Sequence, residues 1–380
     1  LHLEYSGFND LIAEDYINRD LKYRFIEKPT SLNALKYLIE NLKPILTNFA
    51  KHNKHKHLSF MSTILFAYID TLASFLSEFY LRKMSSIVGC KFALIGYDVL
   101  LPKELSLALH RLGIETIAIQ ERYTLPHAGN YNLVIDNYLV WSSNVETMIN
   151  DSIGESYVGN YIVTGPPRSD KVNHDKRNTI HGLRKKIIVY SNSPEPENVN
   201  KYTLINSWLN IKTLLQDVLE LSAEFSECDF KIRAKHTGWN DIAFFGSILE
   251  SLSCCDNVEI IDDYQTMDVS YKLLSDAYGV IGHHTSIADE AMCHGIPVLF
   301  HDFSPYASSM YKKNYDYNGL ELFSSSSEEF QLKFYNYFIK EQYPDEIKSY
   351  MCENYKNLCD GNVMTRINNI LHEIIQLDIN

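Results

Sequence analysis

The sequence predicts an α/β protein of two parallel-sheet domains followed by a helical tail. Three observations predict it. Short apolar runs that end in Gly or a polar residue alternate with amphipathic stretches of ten or so residues. A polar, turn-rich segment at residues 165–185 separates two such series. From Glu328 onward, helical periodicity runs to the end of the chain.

The first series begins after a helical stretch marked by Leu32, Leu35, Leu38, Ile39 and Leu42. Phe92–Gly96 reads as a strand. Pro102 opens a helix that Gly113 closes, and Ile114–Ile119 is the next strand. Leu133–Ile135 and Tyr138–Trp141 are apolar runs on either side of Asp136. Ser143 or Asn144 caps a helix to Asn150, and Tyr161–Thr164 is strand-like. In the second series Lys186–Tyr190 is a strand and Tyr202–Phe225 a long helix. Strand Phe230–Ala234, helix Asn240–Leu252, strand Val258–Ile261 and helix Met267–Ala277 follow. Strand Gly279–Ile281, helix Ser286–Cys293 and strand Pro297–Phe300 complete it. A period of about 25 residues per unit fits a Rossmann-like sheet. The expected organisation is an N-terminal helical and Rossmann-like domain (1–165), a linker (166–185), a second Rossmann-like domain (186–335) and C-terminal helices (336–380) packing back on the first domain.

Composition narrows the function classes. The 380 residues are 45% hydrophobic, with 26 Tyr and 18 Phe, which is enough for a core and excludes a disordered chain. A net charge of −13 excludes nucleic-acid binding over a broad basic face. Seven Cys (Cys90, Cys228, Cys254, Cys255, Cys293, Cys352, Cys359) form no C-x-x-C pair. Reduced thiols in a cytoplasmic protein, with no bound metal, are expected. No basic region precedes an apolar run at the start, so no secretory leader is expected. Residues 58–81 (LSFMSTILFAYIDTLASFLSEFYL) are long enough to span a bilayer, but Asp70 and Glu78 would each cost about 3 kcal/mol there. A buried amphipathic helix is expected instead. The preceding KHNKHKH stretch, residues 51–57, reads as a solvated loop. With that helix it offers a peripheral contact with the inner face of a membrane.

Ligands of open parallel sheets bind beyond the C-terminal ends of the strands. The polar residues there are Gln120, Glu121 and Arg122 in the first series. In the second they are Ser191, Asn192, Ser193 and Glu195, then Lys235 and His236, then Asp263 and Tyr264, then His283, His284, Thr285 and Ser286. The block GHHTSIADEAMCHGIPVLF reads as strand, polar turn, short helix and next strand. Thr285 or Ser286 is placed to cap the helix, whose first N–H groups suit a phosphate, and Glu290 lies one turn in, within reach of a ribose.

Four blocks then carry a family resemblance. Val163–Asp170 (VTGPPRSD) resembles the G-x-x-R-x-D segment ahead of the nucleotide domain in CDP-glycerol polymerases of teichoic acid synthesis. Similar segments occur in surface-polysaccharide transferases that use CMP-linked 3-deoxy-manno-octulosonic acid (Kdo). Ile187–Ser191 (IIVYS) resembles the first strand of that domain, and Ile232–His236 (IRAKH) the strand ending in R-x-H-P. Asp276–Ile287 (DAYGVIGHHTSI) resembles the block before the donor helix. Thr237 stands where the third motif has Pro, and His283 and His284 stand where the glycerol-phosphate enzymes have Asp and Tyr.

The resemblance implies a GT-B glycosyltransferase: two Rossmann-like β/α domains facing a cleft, with extra N-terminal helices. The donor is a cytidine-nucleotide sugar, with CMP-Kdo or a related acidic sugar foremost. No cofactor is implied beyond that donor. The acceptor is a glycan or lipid-linked glycan of bacterial surface polysaccharide. No Asp-x-Asp occurs anywhere, which favours this fold over the metal-diphosphate glycosyltransferases. Arg233, Lys235 and His236 would supply charge and donors to the donor phosphate or carboxylate. Asp263 and Tyr264 lie where cytosine contacts are expected. Gln120, Arg122 and Arg168 would line the acceptor side. Glu121 is the first candidate base, and Glu121 or Glu195 the nucleophile of a double displacement. The competing readings are a CDP-glycerol or polyol-phosphate transferase and a non-catalytic binding protein of the same fold. No G-x-G-x-x-G follows a strand and no G-x-S-x-G is present, which argues against a dehydrogenase and a serine hydrolase.

Overall fold

The computed structural model describes residues 2–4, 23–25, 75–77, 79–81, 89–95, 103–121, 133–150, 156–172, 184–191, 208–234, 239–261, 268–283, 285–303, 317, 320–324 and 326–377. Stretch 51–57 and most of 58–81 lie outside these. The described residues divide into two compact units. One holds those up to Glu121 with 133–139 and 156–162; the other holds 140–150 and those from Val163 on.

The first unit is built on a six-stranded sheet in the order β2-β1-β3-β4-β5-β6. The strands are β1 (His2–Glu4), β2 (Tyr23–Phe25), β3 (Phe92–Ile95), β4 (Glu115–Ile119), β5 (Val134–Val140) and β6 (Tyr157–Val163). The first five pair in parallel. β6 joins in the same sense, through Tyr157 N–H to Leu133 O at 2.7 Å and Thr164 N–H to Val140 O at 2.8 Å. Helix α1 (Lys103–Arg111) lays Leu105, Ala108 and Leu109 on Ala93 and Ile114. Asp136 does not interrupt β5. Its Oδ2 accepts Thr116 N–H at 2.7 Å, Thr116 Oγ1 at 2.8 Å and His110 Nε2 at 2.8 Å, so the carboxylate is satisfied and ties α1 to the sheet. Helix α2 (Asn144–Asn150), which belongs to the other unit, follows β5 where expected.

The second unit is built on a five-stranded parallel sheet in the order β11-β10-β7-β8-β9. Its strands are β7 (Lys185–Ser191), β8 (Cys228–Ala234), β9 (Val258–Ile260), β10 (Gly279–His283) and β11 (Val298–Phe300). Ile187, Ile188, Val189, Ile232, Val280 and Ile281 are fully buried, as central strands covered on both faces require. The chain steps from β7 to β8 to β9 in one direction, then crosses back to β10 and β11. Right-handed crossovers therefore place α3 (Trp208–Glu224) and α4 (Gly246–Ser253) on one face, and α5 (Asp268–Ser275) and α6 (Ser286–Cys293) on the other.

Two details differ from the sequence reading. Helix Asn240–Leu252 is broken: turns Trp239–Asp241 and Ala243–Phe245 precede α4, because Trp239 and Phe245 both turn inward and meet edge to face at 6.4 Å. Strands β7 and β10 run on to Ser191 and His283, since these two pair with each other.

The C-terminal helices are α7 (Ser327–Phe334), continued by a wider π turn (Tyr335–Ile339), α8 (Asp345–Tyr355) and α9 (Val363–Leu377). Ser326 caps α7 by accepting Glu329 N–H at 3.2 Å. Tyr343 satisfies part of the outer edge of β11: its hydroxyl accepts Val298 N–H at 3.1 Å and donates to Val298 O at 3.0 Å. Among the described residues no helix is long and apolar enough to cross a membrane.

Candidate functional site

The order of strands points to a place. The second sheet reverses direction between β7 and β10, and open α/β sheets bind ligands at such a switch point, beyond the carboxyl ends of the strands. Pairing aligns those ends. Ala234, Ser191 and His283 stand side by side, and one residue earlier Arg233, Tyr190 and Gly282 do the same. Alternation along a strand puts the two rows on opposite faces.

On the α5–α6 face, Gly282 lets α6 approach the strand. A Cβ there would stand 2.6 Å from Ala288 Cβ and 3.2 Å from the Phe300 ring. Beside this contact Tyr190 donates to Ser270 O at 2.7 Å, and Arg233 donates to Ser270 Oγ. The charges of Glu290 and Arg168 act on the neighbouring Tyr271 phenol in opposite directions. Burial, followed by the negative charge of Glu290, holds the Tyr271 phenol well above its usual range. Burial likewise pushes Tyr190 up; Arg233 pulls against this and Glu290 adds to it. Ser270, the third residue of α5, thus meets Tyr190 and Arg233, and Tyr271, the fourth, feels the charges of Glu290 and Arg168, which the sequence placed in separate blocks.

Arg168 reaches this cluster from a short turn, Pro167–Lys171. The turn is fixed from behind by α9. Asp170 accepts Val363 and Met364 N–H at 2.9 and 2.8 Å, and Arg366 donates to Thr164 O at 3.0 Å. Gly165, at φ 89°, leaves room for Leu358 O, which a Cβ would meet at 2.8 Å. So the Gly, Arg and Asp of the G-x-x-R-x-D segment each have a separate task in this chain.

On the α3 face, His283 Nδ1 donates to His301 O at 2.6 Å, so that nitrogen carries the proton. His301 Nε2 bonds Asp217 Oδ2 at 2.7 Å, and Ser327 Oγ donates to the same oxygen at 3.0 Å. The sequence reading missed Tyr271, Ser270, His301 and Asp217. His301 directly follows β11, so the rule applied to the other strands would have found it. Asp217 sits among Leu214, Leu215, Val218 and Leu221 on the buried face of α3, a charge at an apolar position. Tyr271 has no such signal.

The remaining expected residues are distributed as follows. Thr285 stands at the N-cap of α6 with extended backbone, but neither it nor Ser286 caps with its side chain. Glu290 is 1% exposed. Gln120 is fully buried at the end of β4, where its N–H donates to Leu139 O at 2.9 Å, and Glu121 follows it half-buried in the first unit. Arg122, Asn192, Ser193, Glu195, Lys235, His236, Asp263, Tyr264 and His284 lie outside the described residues. Among the described residues no group of three or more His, Cys, Asp or Glu side chains is gathered as metal ligands.

No protein-family model matches the chain, and no curated protein matches it by sequence. Solved structures do match. A putative UDP-N-acetylglucosamine 2-epimerase from Listeria monocytogenes is 12% identical, covering 84% of this chain and 82% of that one, with a TM-score of 0.50. UDP-GlcNAc 2-epimerase from Neisseria meningitidis is 15% identical over 80% of this chain and 82% of its own, at 0.46. The wall teichoic acid polymerase TagF is 17% identical over 76% and 73%, at 0.46. The likeness is one of fold. Two parallel-sheet α/β units with a helical C-terminus give the chain a GT-B fold.

Proposed function

We propose that the protein is a glycosyltransferase that moves a CMP-linked acidic sugar of the Kdo type to a glycan acceptor of a bacterial surface polysaccharide. One observation carries the reading. The N-terminus of α6 follows β10 at the switch point between β7 and β10, and the charges of Arg233 and Glu290 both act on Tyr190 there. Three of the four sequence blocks that resemble cytidine-nucleotide transferases include the paired strand ends of β7, β8 and β10.

The donor phosphate lies against the first-turn N–H groups of α6 after Thr285, where the helix dipole and Arg233 favour an anion. We assign Ser191, Asn192 and Ser193, at and beyond the end of β7, to the same phosphate. Glu290 accepts the ribose hydroxyls. Asp263 and Tyr264, in the segment before α5, take the cytosine. Lys235 and His236, in the segment after β8, are the residues we assign to the phosphate and the sugar carboxylate, with His283 at the end of β10 and His284 beyond it.

In the transfer, an acceptor oxygen bonds to the anomeric carbon as the bond from that carbon to the phosphate oxygen breaks. The acceptor proton passes to a carboxylate, and CMP leaves as a phosphate monoester. That leaving group is weakly basic, so it needs charge stabilisation more than a proton. Glu121 takes the proton in a single displacement. A double displacement instead makes Glu121 or Glu195 the nucleophile and inverts the centre twice. Arg122 and Gln120 belong to the acceptor side. A lipid-linked acceptor brings the protein to the membrane surface through residues 51–81, and failure to float with anionic liposomes removes that contact.

Thermal shift with CMP, CDP, UDP, GDP and ADP tests the donor. A ligand that binds only the native state raises the melting temperature by mass action. CMP gives the largest rise, and His236→Ala abolishes it. A larger rise with CDP favours a CDP-alcohol transferase; a larger rise with UDP or GDP removes the cytidine donor.

A further inference from the structure

A cleft of about 500 Å³ opens between α3, α4 and α7, on the sheet face opposite α5 and α6. Asp217 is part of its lining, yet the residue is only 2% exposed. Its Oδ2 takes two hydrogen bonds, from His301 Nε2 at 2.7 Å and from Ser327 Oγ at 3.0 Å. Its Oδ1 takes none among the described residues. Neither donor brings a charge. His301 is 2% exposed, its Nδ1 has no partner among the described residues, and the Phe303 and Phe330 rings stand 4.3 and 4.8 Å from the imidazole centre. A proton on Nδ1 would be buried and unbonded, so the ring is neutral and its one proton is on Nε2, given to Asp217. A carboxylate taken out of water without a counter-charge is costly. Asp217 has two neutral donors on one oxygen and lacks a cation beside the other.

The charges around the cleft are of one sign. Glu220 stands one turn after Asp217 on the same face of α3, and Glu328 lines the cleft from the first turn of α7. No Lys, Arg or His is among the described residues of the lining. Gln331 Nε2 donates to Glu220 Oε2 at 2.5 Å and holds that carboxylate in place. Leu219 and Ile248 add apolar wall. Among the described residues these carboxylates do not converge as metal ligands do. Carboxylates set apart, with apolar wall beside them, suit charged nitrogens joined by methylenes: the ammonium groups donate and the methylenes lie on Leu219 and Ile248.

We propose that this cleft binds a small aliphatic diammonium or polyammonium ion, with one ammonium group donating to Asp217 Oδ1 and another to Glu220 or Glu328. The site is separate from the nucleotide site proposed above and does not rest on that reading.

The test is a calorimetric titration with putrescine and with butanediol, its uncharged counterpart of the same length. The proteins are the wild-type chain, Asp217→Asn and the double variant Glu220→Gln with Glu328→Gln. Thermal unfolding shows which variants are folded. The wild type binds putrescine and not butanediol, and magnesium chloride at the same concentration as putrescine leaves the diamine bound. Asp217→Asn weakens putrescine by about tenfold or more, the equivalent of a hydrogen bond to a charged group. The double variant changes two exposed side chains and weakens it by about fivefold, which keeps the proposal testable should Asp217→Asn fail to fold. A chain of net charge −13 attracts cations over its whole surface, so putrescine bound equally by the wild type and the double variant overturns the site. So does a wild type that binds no putrescine, that binds butanediol as well, or that releases the diamine to magnesium. None of these outcomes touches the nucleotide reading.

Discussion

The carboxylate of Asp170 accepts the backbone N–H of Val363 at 2.9 Å, so a residue of the segment after β6 caps a helix 193 positions further along the chain. The second bond, to Met364 at 2.8 Å, makes the cap bidentate. Orphan N–H groups at a helix start are normally satisfied by a local side chain. Here the cap is long-range, and it joins the last helix to the turn that presents Arg168.

Asp170→Ala is therefore expected to cost about 1–2 kcal/mol, the usual range for losing an N-terminal cap. Urea unfolding followed by circular dichroism measures it. The loss should exceed that of Asp345→Ala, whose carboxylate is exposed and pairs only with Lys348 three residues away. Equal losses would mean that the Asp170 contact adds nothing.

Gly282→Ala probes the close approach of α6 to β10. The added methyl meets Ala288 Cβ and the Phe300 ring, both in rigid elements, so the helix must shift. Overpacking of this kind costs about 1–3 kcal/mol. Because α6 also begins at the proposed phosphate site, nucleotide affinity should fall with stability. Gly295→Ala, at φ 69° in the turn after α6, serves as comparison: it strains the turn but meets no neighbour. Full nucleotide affinity in a folded Gly282→Ala would contradict the geometry.

The fold was legible in the sequence and the cluster was only partly so. Parallel strands announce themselves as apolar runs such as IIVYS, and the period of the β/α units follows from chain geometry. The crossing residues at strand ends were readable for the same reason. The extension of β10 to His283 was not, because pairing with Ser191 is a property of two strands, not of either one. Arg168 and Glu290 were legible as chemistry, but the burial of Tyr271 within reach of their charges depends on where α5 packs after the chain reverses across the sheet. The cap on α9 was hidden for a similar reason: nothing near Val363 signals a partner in the segment after β6.

Stability should also respond to acid through Asp360. Burial alone would raise its carboxyl; the Arg366 guanidinium, at 3.1 Å, and the Asn362 N–H outweigh it and hold the carboxyl below its ordinary value. A folded pKa below the unfolded one gives stability that is complete above the unfolded value and is lost as pH falls through the folded one. The contribution should thus be intact at pH about 6 and fade below about 4. Asp360→Asn should flatten the pH dependence of the melting temperature in that window and leave its shape at higher pH unchanged. An unaltered acid limb would show that Arg366 does not hold the carboxylate in solution.

The central claim is transfer from a cytidine-nucleotide sugar, and phosphorus NMR of the donor tests it most directly. Purified protein is incubated with a bacterial surface-glycan extract and, in separate tubes, CMP-Kdo, CDP-glycerol and UDP-GlcNAc. The account predicts that the phosphodiester signal of CMP-Kdo is replaced by the monoester signal of CMP, and that the replacement requires both protein and extract and fails with His236→Ala. An unchanged CMP-Kdo signal beside consumption of CDP-glycerol or UDP-GlcNAc would contradict it.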